Sequence, residues 1–300
     1  MNLSVIIINY NTFELTCHAI QSIVETTKGC SYEIILVDNN SSECSSELFK
    51  LKFPFITLIS SSENVGFAGG NNLGLKQAKG EYILLLNSDT VVLNDAVSIA
   101  YNYIVNNPTI GVLSGRLLYP DGTDQPVAGR FPSLKTEILE FLRFPKVESF
   151  SNKSKRLLGT YWDYNKGVDA DWVWGTFFMF KTEILHQFPN EKLQDDFFMY
   201  YEDVQWCYYI KNTLKLRIVY IPEPRILHYL SRSTESSDRL NVVRNKVLPN
   251  EFKFLKSTKG VFYTLLYYWV KRLHLYSLRT DTKIEEANWY GRFINKMKNE

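Results

Sequence analysis

An α/β fold with helices packed over a largely parallel sheet is what this sequence predicts, and three apolar runs carry the prediction. Residues 3–8, 33–37 and 82–86 are continuous and rich in β-branched residues and leucine, the pattern of strands covered on both faces. Each run stops abruptly in a polar cluster: Asn9-Tyr10-Asn11, Asp38-Asn39-Asn40-Ser41-Ser42 and Asn87-Ser88-Asp89. In open α/β sheets, ligands bind beyond the carboxyl ends of the strands, so these three clusters are the place to look for chemistry.

The elements follow in order. After the first run, Leu15, Ala19 and Ile23 recur at helical spacing, with Thr12 available as an N-cap. Between the second and third runs, residues 62–74 are dense in Gly and Asn, which permit close backbone approach to a ligand. This stretch is not the dinucleotide fingerprint, which needs its glycines directly after the first strand. Asp89 closes the third run, where a carboxylate serves either as a helix cap or as a ligand to a cation that carries phosphate. Further on, the aromatic run 197–201 leads into Glu202-Asp203 and a helix with Val204, Cys207, Tyr208 and Lys211. A carboxylate pair against an apolar wall suits a general base, because burial raises its pKa toward the working pH. Acids favoured by a helix dipole are the competing account. His228 ends a further strand pattern, residues 217–228, while His18, His186 and His274 lie in helical or connecting patterns with no acid motif nearby.

Six segments together carry a family resemblance: Ser4-Val5-Ile6-Ile7-Ile8-Asn9-Tyr10-Asn11, Val37-Asp38-Asn39-Asn40-Ser41-Ser42, Asn64-Val65-Gly66-Phe67-Ala68-Gly69-Gly70-Asn71-Asn72, Leu86-Asn87-Ser88-Asp89, Asp171-Trp172-Val173-Trp174-Gly175 and Phe198-Met199-Tyr200-Tyr201-Glu202-Asp203-Val204. In this order the chain resembles the large inverting family of nucleotide-sugar glycosyltransferases with the GT-A fold (family 2), in its rhamnosyltransferase-like branch. The resemblance covers roughly residues 3–230. It implies a single nucleotide-binding mixed sheet flanked by helices over residues 1–230, followed by a basic helical C-terminal extension over residues 231–300.

Carried over position by position, the resemblance implies that Tyr10 stacks on the nucleobase and that Asp38 accepts a hydrogen bond from its edge. Both residue types fit a pyrimidine, which offers a ring face and an imide N–H. A packed tyrosine and an Asx-turn are their competing readings. Asn9, Asn11 and Asn40 would line the same pocket, Asn64 and Asn71 would approach ribose and base, and Asn87 and Ser88 would complete the donor side. Asp89 matches the second acid of the family's metal motif, while Asn87 stands where the first would be. With His228, Asp89 would hold a divalent cation, Mg²⁺ or Mn²⁺, since hard cations accept few protein ligands when phosphates and waters complete the shell. Asp203 would be the general base, with Glu202 positioning it or the acceptor. Trp172, Trp174 and Gly175 would face the acceptor.

The implied reaction moves a sugar from a nucleoside diphosphate sugar (dTDP-rhamnose or a UDP-sugar) to a hydroxyl of a saccharide or lipid-linked saccharide, with inversion, in cell-surface polysaccharide assembly. Three hundred residues at 45% hydrophobic and 15% aromatic composition suffice for one large core. Cys17, Cys30, Cys44 and Cys207 show no paired spacing, and the start shows no export signal, so a cytoplasmic protein is expected. The net charge of +2 conceals an asymmetry: residues 239–279 hold nine basic residues against Glu251 alone, a balance of +8 that leaves −6 elsewhere. There Phe262, Leu265, Leu266, Trp269, Leu273 and Tyr276 share one helical face opposite Lys271. That face predicts docking either on the inner, anionic membrane surface or on the catalytic domain. Residues 146–156 read as an exposed, acceptor-side loop. Two other classes stay open: a catalytically impaired nucleotide-sugar-binding protein, kept alive by Asn87, and a basic nucleic-acid scaffold. The scaffold lacks any recognisable motif, so no nucleic-acid partner is expected.

Overall fold

The structure, a computed structural model, describes residues 1–144, 147–230 and 239–298. The chain divides into two compact units, Met1–Arg130 with Leu158–Glu235, and Phe131–Leu157 with Ser236–Glu300.

The first unit is built on one mixed sheet. Its strands are β1 (Leu3–Asn9), β2 (Tyr32–Asp38), β3 (Thr57–Ser60), β4 (Tyr82–Asn87), β5 (Thr90–Val92), β6 (Ile110–Leu118), β8 (Val168–Ala170), β10 (Phe177–Lys181) and β11 (Arg217–His228), and the small pair β7 (Ala128–Gly129) and β9 (Trp172–Val173) stands apart. The order is β3-β2-β1-β4-β10-β6-β11-β5, with β8 on β11. β3, β2, β1 and β4 run parallel, as their apolar runs predict, and β10 enters antiparallel between β4 and β6. The register places Asn9 beside Asp38 and Ile8 beside Asn87, so the three polar clusters stand at one end of the sheet. β11 tolerates Pro222 and Pro224 because its pairing with β6 shifts between Tyr220 and Arg225. Its last residue, His228, then pairs beside Thr90, next to Asp89.

Helices α1 (Phe13–Thr26), α2 (Glu47–Lys52), α3 (Gly66–Leu75) and α4 (Ala96–Val105) belong to this unit. Thr12 is the N-cap residue of α1, but its hydroxyl makes no cap bond. The Phe13 N–H is taken by Glu43 at 2.5 Å instead, which frees the Thr12 hydroxyl for the site described below. The glycines of α3, read as room for a ligand, serve packing. A Cβ at Gly74 would lie 2.5 Å from Ile6 of β1, and one at Gly66, where φ is +74°, would lie 2.2 Å from the Phe198 carbonyl oxygen.

The second unit is helical: α5 (Leu134–Phe141), α6 (Phe150–Leu157), α8 (Arg239–Val242), α9 (Leu248–Lys259), α10 (Val261–Ser277) and α11 (Asp281–Lys298), with a π-helical turn Val243–Val247. Helix α7 (Glu202–Asn212) belongs to the first unit. Residues 150–156, expected in a loop, lie in α6, where Arg156 pairs with Glu148 at 2.8 Å and Glu140 at 3.6 Å. Lys146 and residues 231–238, where the sequence places the boundary of the extension, lie outside the described residues. The core of this unit is aromatic, with Phe252 stacked on Tyr268 at 5.5 Å and Phe293 edge-on to Tyr268 at 5.4 Å.

Helix α10 turns an unexpected face inward. Tyr267, Tyr268 and Leu275 are buried, whereas Phe262 is 81% and Trp269 44% exposed, with Leu266 and Leu273 exposed on the same stripe. Lys271, opposite that stripe, therefore points into the unit. Burial works against its charge, but Glu251, Tyr290 and Glu137 offset this and raise its pKa. The Lys271 ammonium also lies over the Tyr267 and Tyr290 rings, at 5.4 and 5.6 Å.

Candidate active site

The three strand ends meet through one chain of hydrogen bonds. Asn9, almost fully buried, donates to Asp38 Oδ1 at 2.7 Å and to Ser41 Oγ at 2.9 Å, and accepts from Thr12 and Thr16 at 3.0 and 2.9 Å. With both amide hydrogens and its oxygen engaged, Asn9 fixes Asp38 from beneath. Thr12 continues to Ser88 Oγ at 3.0 Å, which ties the first cluster to the third. Tyr10 stands at the rim with 47% of its surface exposed, a ring left open for stacking.

Asn11 and Asn40 occupy left-handed backbone positions, φ +53° and +62°, which asparagine tolerates well. Asn11 Oδ1 accepts from the Ser42 and Glu43 amides at 2.8 and 3.3 Å, so its side chain closes a loop. Asn64 Oδ1 accepts from Asn39 and from the Gly66 amide, holding the start of α3. Asn71 donates to the Phe67 carbonyl, and its own oxygen is buried without a hydrogen-bond partner.

The third cluster meets the end of β11. Asp89 Oδ1 lies 3.3 Å from His228 Nε2, and both side chains are largely buried. Asn87 Nδ2 lies 3.4 Å from the same nitrogen and 3.3 Å from Thr176 Oγ1. The ring is oriented by Gln125, which is fully buried. Its amide nitrogen donates to the His228 and Leu118 carbonyls at 2.8 and 3.3 Å, so its oxygen is the atom 2.8 Å from His228 Nδ1. Nδ1 then carries a proton, so Nε2 is the ring nitrogen placed to serve as a ligand beside Asp89. Two lone-pair donors facing one another are a fitting pair for a hard divalent cation that takes its remaining ligands from phosphate and water. Among the described residues no group of three or more His, Cys, Asp and Glu is placed to hold a metal ion. Gln125→Leu is expected to weaken cation affinity about 10- to 100-fold, as loss of a supporting hydrogen bond does. Titration of Mn²⁺ into the folded variant checks this.

Glu202 and Asp203 open α7 behind two tyrosines in left-handed conformation, Tyr200 at φ +71° and Tyr201 at φ +81°. Bulky residues seldom adopt that region, and such strain collects at functional sites. Burial raises both carboxyls, and the charge of Asp203 raises Glu202 further. Their surroundings separate them. Asp203 accepts the Gly175 amide at 3.1 Å and the Val204 amide at 2.8 Å, which favour its ionised form, whereas Glu202 Oε2 is buried with no partner. Gly175 has no room for a side chain: a Cβ would lie 2.9 Å from the Phe67 ring. The loop that ends in these acids is pinned to α3 by Asn72, which exchanges two bonds with Leu193, and by the Phe67 amide on the Phe198 carbonyl.

Of the aromatic pair, Trp174 sits edge-on to His228 at 6.3 Å, beside the Asp89 cluster. Trp172 instead covers Gly129 and donates its indole N–H to the Arg130 carbonyl at 2.9 Å, a place in the small hairpin. Asp171 pairs with Lys211 at 2.6 Å. Sequence reasoning passed over Gln125, Thr176, Asn39 and Asn72. Asn39 and Asn72 lay inside recognised segments, but Gln125 and Thr176 stand in stretches with no pattern to mark them.

The sequence pattern described as Glycosyl transferase family 2 matches residues 4–187. Over 95% of its length the chain is 26% identical to the low-salt glycan biosynthesis hexosyltransferase Agl10 of Haloferax volcanii, covering 87% of that protein. It is 34% identical over 123 residues to the poly(ribitol-phosphate) beta-glucosyltransferase of Bacillus spizizenii, a stretch of 38% of this chain and 19% of that enzyme. The fold resembles a mannosyltransferase of Pyrobaculum calidifontis solved with GDP-Man and Mn²⁺, at TM-score 0.60, 17% identity, 92% coverage of this chain and 74% of that one. It also resembles residues 1–349 of S. aureus TarS solved with UDP, at TM-score 0.53, 17% identity, 95% coverage of this chain and 77% of that one. Against the longer TarS chain, this protein spans 44% of the length. With the family pattern matched over more than half of its residues and a GT-A architecture to carry it, the chain belongs to glycosyl transferase family 2.

Proposed function

We propose that this protein transfers a sugar, with inversion, from a nucleoside diphosphate sugar to a hydroxyl of a saccharide or lipid-linked saccharide in surface glycan assembly. A pyrimidine donor, dTDP-rhamnose as in the rhamnosyltransferase-like branch or a UDP-sugar, suits Asp38 and Tyr10: an imide N–H donates to the carboxylate and the base lies on the exposed ring. The observation that carries the reading is the gathering of these groups at one end of the sheet: hydrogen bonds run from Asp38 through Asn9 and Thr12 to Ser88, the adjoining residue Asn87 meets His228 and Thr176, and Gly175, next to Thr176 in the chain, donates its amide to Asp203.

Asp203 takes the proton from the acceptor hydroxyl as its oxygen attacks the anomeric carbon. Glu202, neutral beside it, leaves Asp203 as the charged member of the pair and adds no second negative charge to the cleft. Asp89 and His228 would hold Mg²⁺ or Mn²⁺, which when bound neutralises the departing nucleoside diphosphate. Trp174 and Gly175 form the wall on the acceptor side, where an aromatic face suits sugar C–H groups; Trp172 supports that wall from the hairpin. ¹H NMR of the transferred sugar tests the stereochemistry. An anomeric coupling opposite to the donor's is expected, and retention would remove the single displacement.

The same reading sets the enzyme on the cytoplasmic side of an anionic membrane. Its support is the exposed stripe Phe262, Leu266, Trp269 and Leu273, with Arg272 over the Trp269 ring at 5.4 Å, in a segment of net charge +8. No helix among the described residues is long and apolar enough to cross a membrane. Phe262→Ser and Trp269→Ser are each expected to lower affinity for anionic vesicles about tenfold, since burying one such side chain contributes roughly 1.5–3 kcal/mol. Vesicle sedimentation at low and high salt checks this. Charge reversal at Lys271 would test folding instead, because that ammonium is enclosed by Glu251, Glu137 and Tyr290.

A further inference from the structure

One arginine of α10 is fixed in place by neutral groups alone. Trp269 and Tyr276 stand three residues before and four residues after Arg272, so the three side chains meet along one side of the helix. The Arg272 guanidinium lies over the Trp269 ring at 5.4 Å and the Tyr276 ring at 5.3 Å, and its Nη2 donates to the Tyr276 hydroxyl at 3.3 Å. That hydroxyl donates in turn to Asn288 of α11. Gly291 of α11 leaves the space that the guanidinium fills: a Cβ there would lie 2.9 Å from its central carbon. Nε is buried without an acceptor, whereas Nη1 reaches solvent and has no hydrogen-bond partner among the described residues. Arg156 shows the contrast, since its guanidinium pairs with Glu148 and Glu140. Arg272 forms no ion pair with a carboxylate among the described residues, so two rings and a hydroxyl set its position and its charge is left for an outside anion.

The surroundings name that anion. Trp269, which carries the guanidinium, belongs to the exposed stripe with Phe262, Leu266 and Leu273. The unit as a whole has nineteen basic residues against nine acidic ones, a net charge of +10. A helix that lies on a membrane buries its apolar face at the boundary of head groups and acyl chains, and an arginine at the edge of that face reaches the level of the phosphates. A guanidinium fork matches phosphate oxygens in geometry as well as in charge. We infer that Arg272 binds the phosphate of an anionic phospholipid, an assignment that rests on the membrane contact proposed above for α10. The stripe enters the apolar layer, and Arg272, clamped by Trp269 and Tyr276 and seated over Gly291, meets the phosphate from its open Nη1 side. Membrane contact is then selective for phosphate and is more than attraction between net charges.

The test uses the whole chain and two variants that keep every charge and the exposed stripe. Arg272→Lys retains the cation and removes the fork, and Gly291→Ala puts a methyl group where the guanidinium sits. Sedimentation follows binding to vesicles of phosphatidylcholine with phosphatidylglycerol, and to phosphate-free vesicles of glycerol monooleate and oleate set to the same surface potential. Each variant, folded by circular dichroism, is expected to bind the phospholipid vesicles about tenfold more weakly than the parent, the scale of a lost hydrogen bond to a charged group. On oleate vesicles it is expected to stay within about twofold, because diffuse attraction depends on charge, which neither variant alters. Arg272→Lys, at a partly exposed position, decides alone if Gly291→Ala unfolds. Unchanged binding of folded Arg272→Lys to phospholipid vesicles overturns the inference and leaves the membrane contact standing. An equal loss on both kinds of vesicle also overturns it, since phosphate is then not what the arginine holds. A parent protein that sediments with neither kind removes the membrane contact itself, and the inference with it.

Discussion

Asp203→Asn is expected to lower sugar transfer by about 10²- to 10⁴-fold, the usual contribution of a general base, while donor affinity stays within about twofold. The amide keeps the shape of the side chain and can still accept the Gly175 and Val204 amides through its oxygen, but it cannot take the acceptor proton. The pH profile carries the same assignment. Burial raises the Asp203 pKa, so the ionised base is lost as pH falls through that raised value, and the acid limb of kcat should lie above the ordinary carboxylate range near 4. Glu202→Gln should be far milder in transfer, because the Glu202 carboxyl is raised by burial and by the charge of Asp203 and so holds its proton to higher pH. Its effect should appear in stability. A buried carboxyl with a raised folded pKa stabilises the fold below its unfolded value and loses that contribution as pH rises through the folded one. Glu202→Gln should therefore raise the melting temperature relative to the parent on the alkaline side, and differential scanning calorimetry across pH checks it. A crippled Glu202→Gln beside a near-normal Asp203→Asn would exchange the two roles.

Asp89→Ala should cost about 10²- to 10³-fold in transfer, the scale seen when charge stabilisation at a leaving group is removed, and chelator should stop the parent enzyme. His228→Ala should resemble it, since the two atoms face one another at 3.3 Å. The variants should also lose Mn²⁺ binding measured by titration without substrate, a readout that a merely misfolded cap would not give when circular dichroism is unchanged. Full activity in chelator, with Asp89→Ala unaffected, would leave Asp89 as a turn residue whose carbonyl accepts the Tyr229 amide.

The strands and the residues that end them were legible because period and composition are local properties. Residues 3–8, 33–37 and 82–86 announce themselves without any partner in view, and the register then brings Asn9, Asp38 and Asn87 to one edge. What each side chain does there was less legible. Asn9 was expected in a pocket wall but is consumed in holding Asp38, because only the fold reveals that Thr12 and Thr16 reach its oxygen. Gln125 precedes His228 by 103 residues, and nothing local marks it. The apolar face of α10 was found from its spacing, yet spacing cannot tell which face turns outward. That depends on Glu251, Glu137 and Tyr290, which surround Lys271 from three other helices. Residues 131–157 illustrate the same limit: α5 joins the helical unit through contacts such as the Leu134 amide on the Tyr263 hydroxyl, 129 residues away.

The most direct test of the central claim is a donor screen on the full chain with Mg²⁺ or Mn²⁺, following nucleoside diphosphate release from dTDP-, UDP- and GDP-sugars by ³¹P NMR. Cation-dependent release from a pyrimidine donor is the expected result, faster with a saccharide acceptor and abolished in Asp38→Ala, which removes the carboxylate proposed to read the base. A folded protein that releases nothing from any donor, or that releases it equally well in Asp38→Ala and in chelator, would contradict the account.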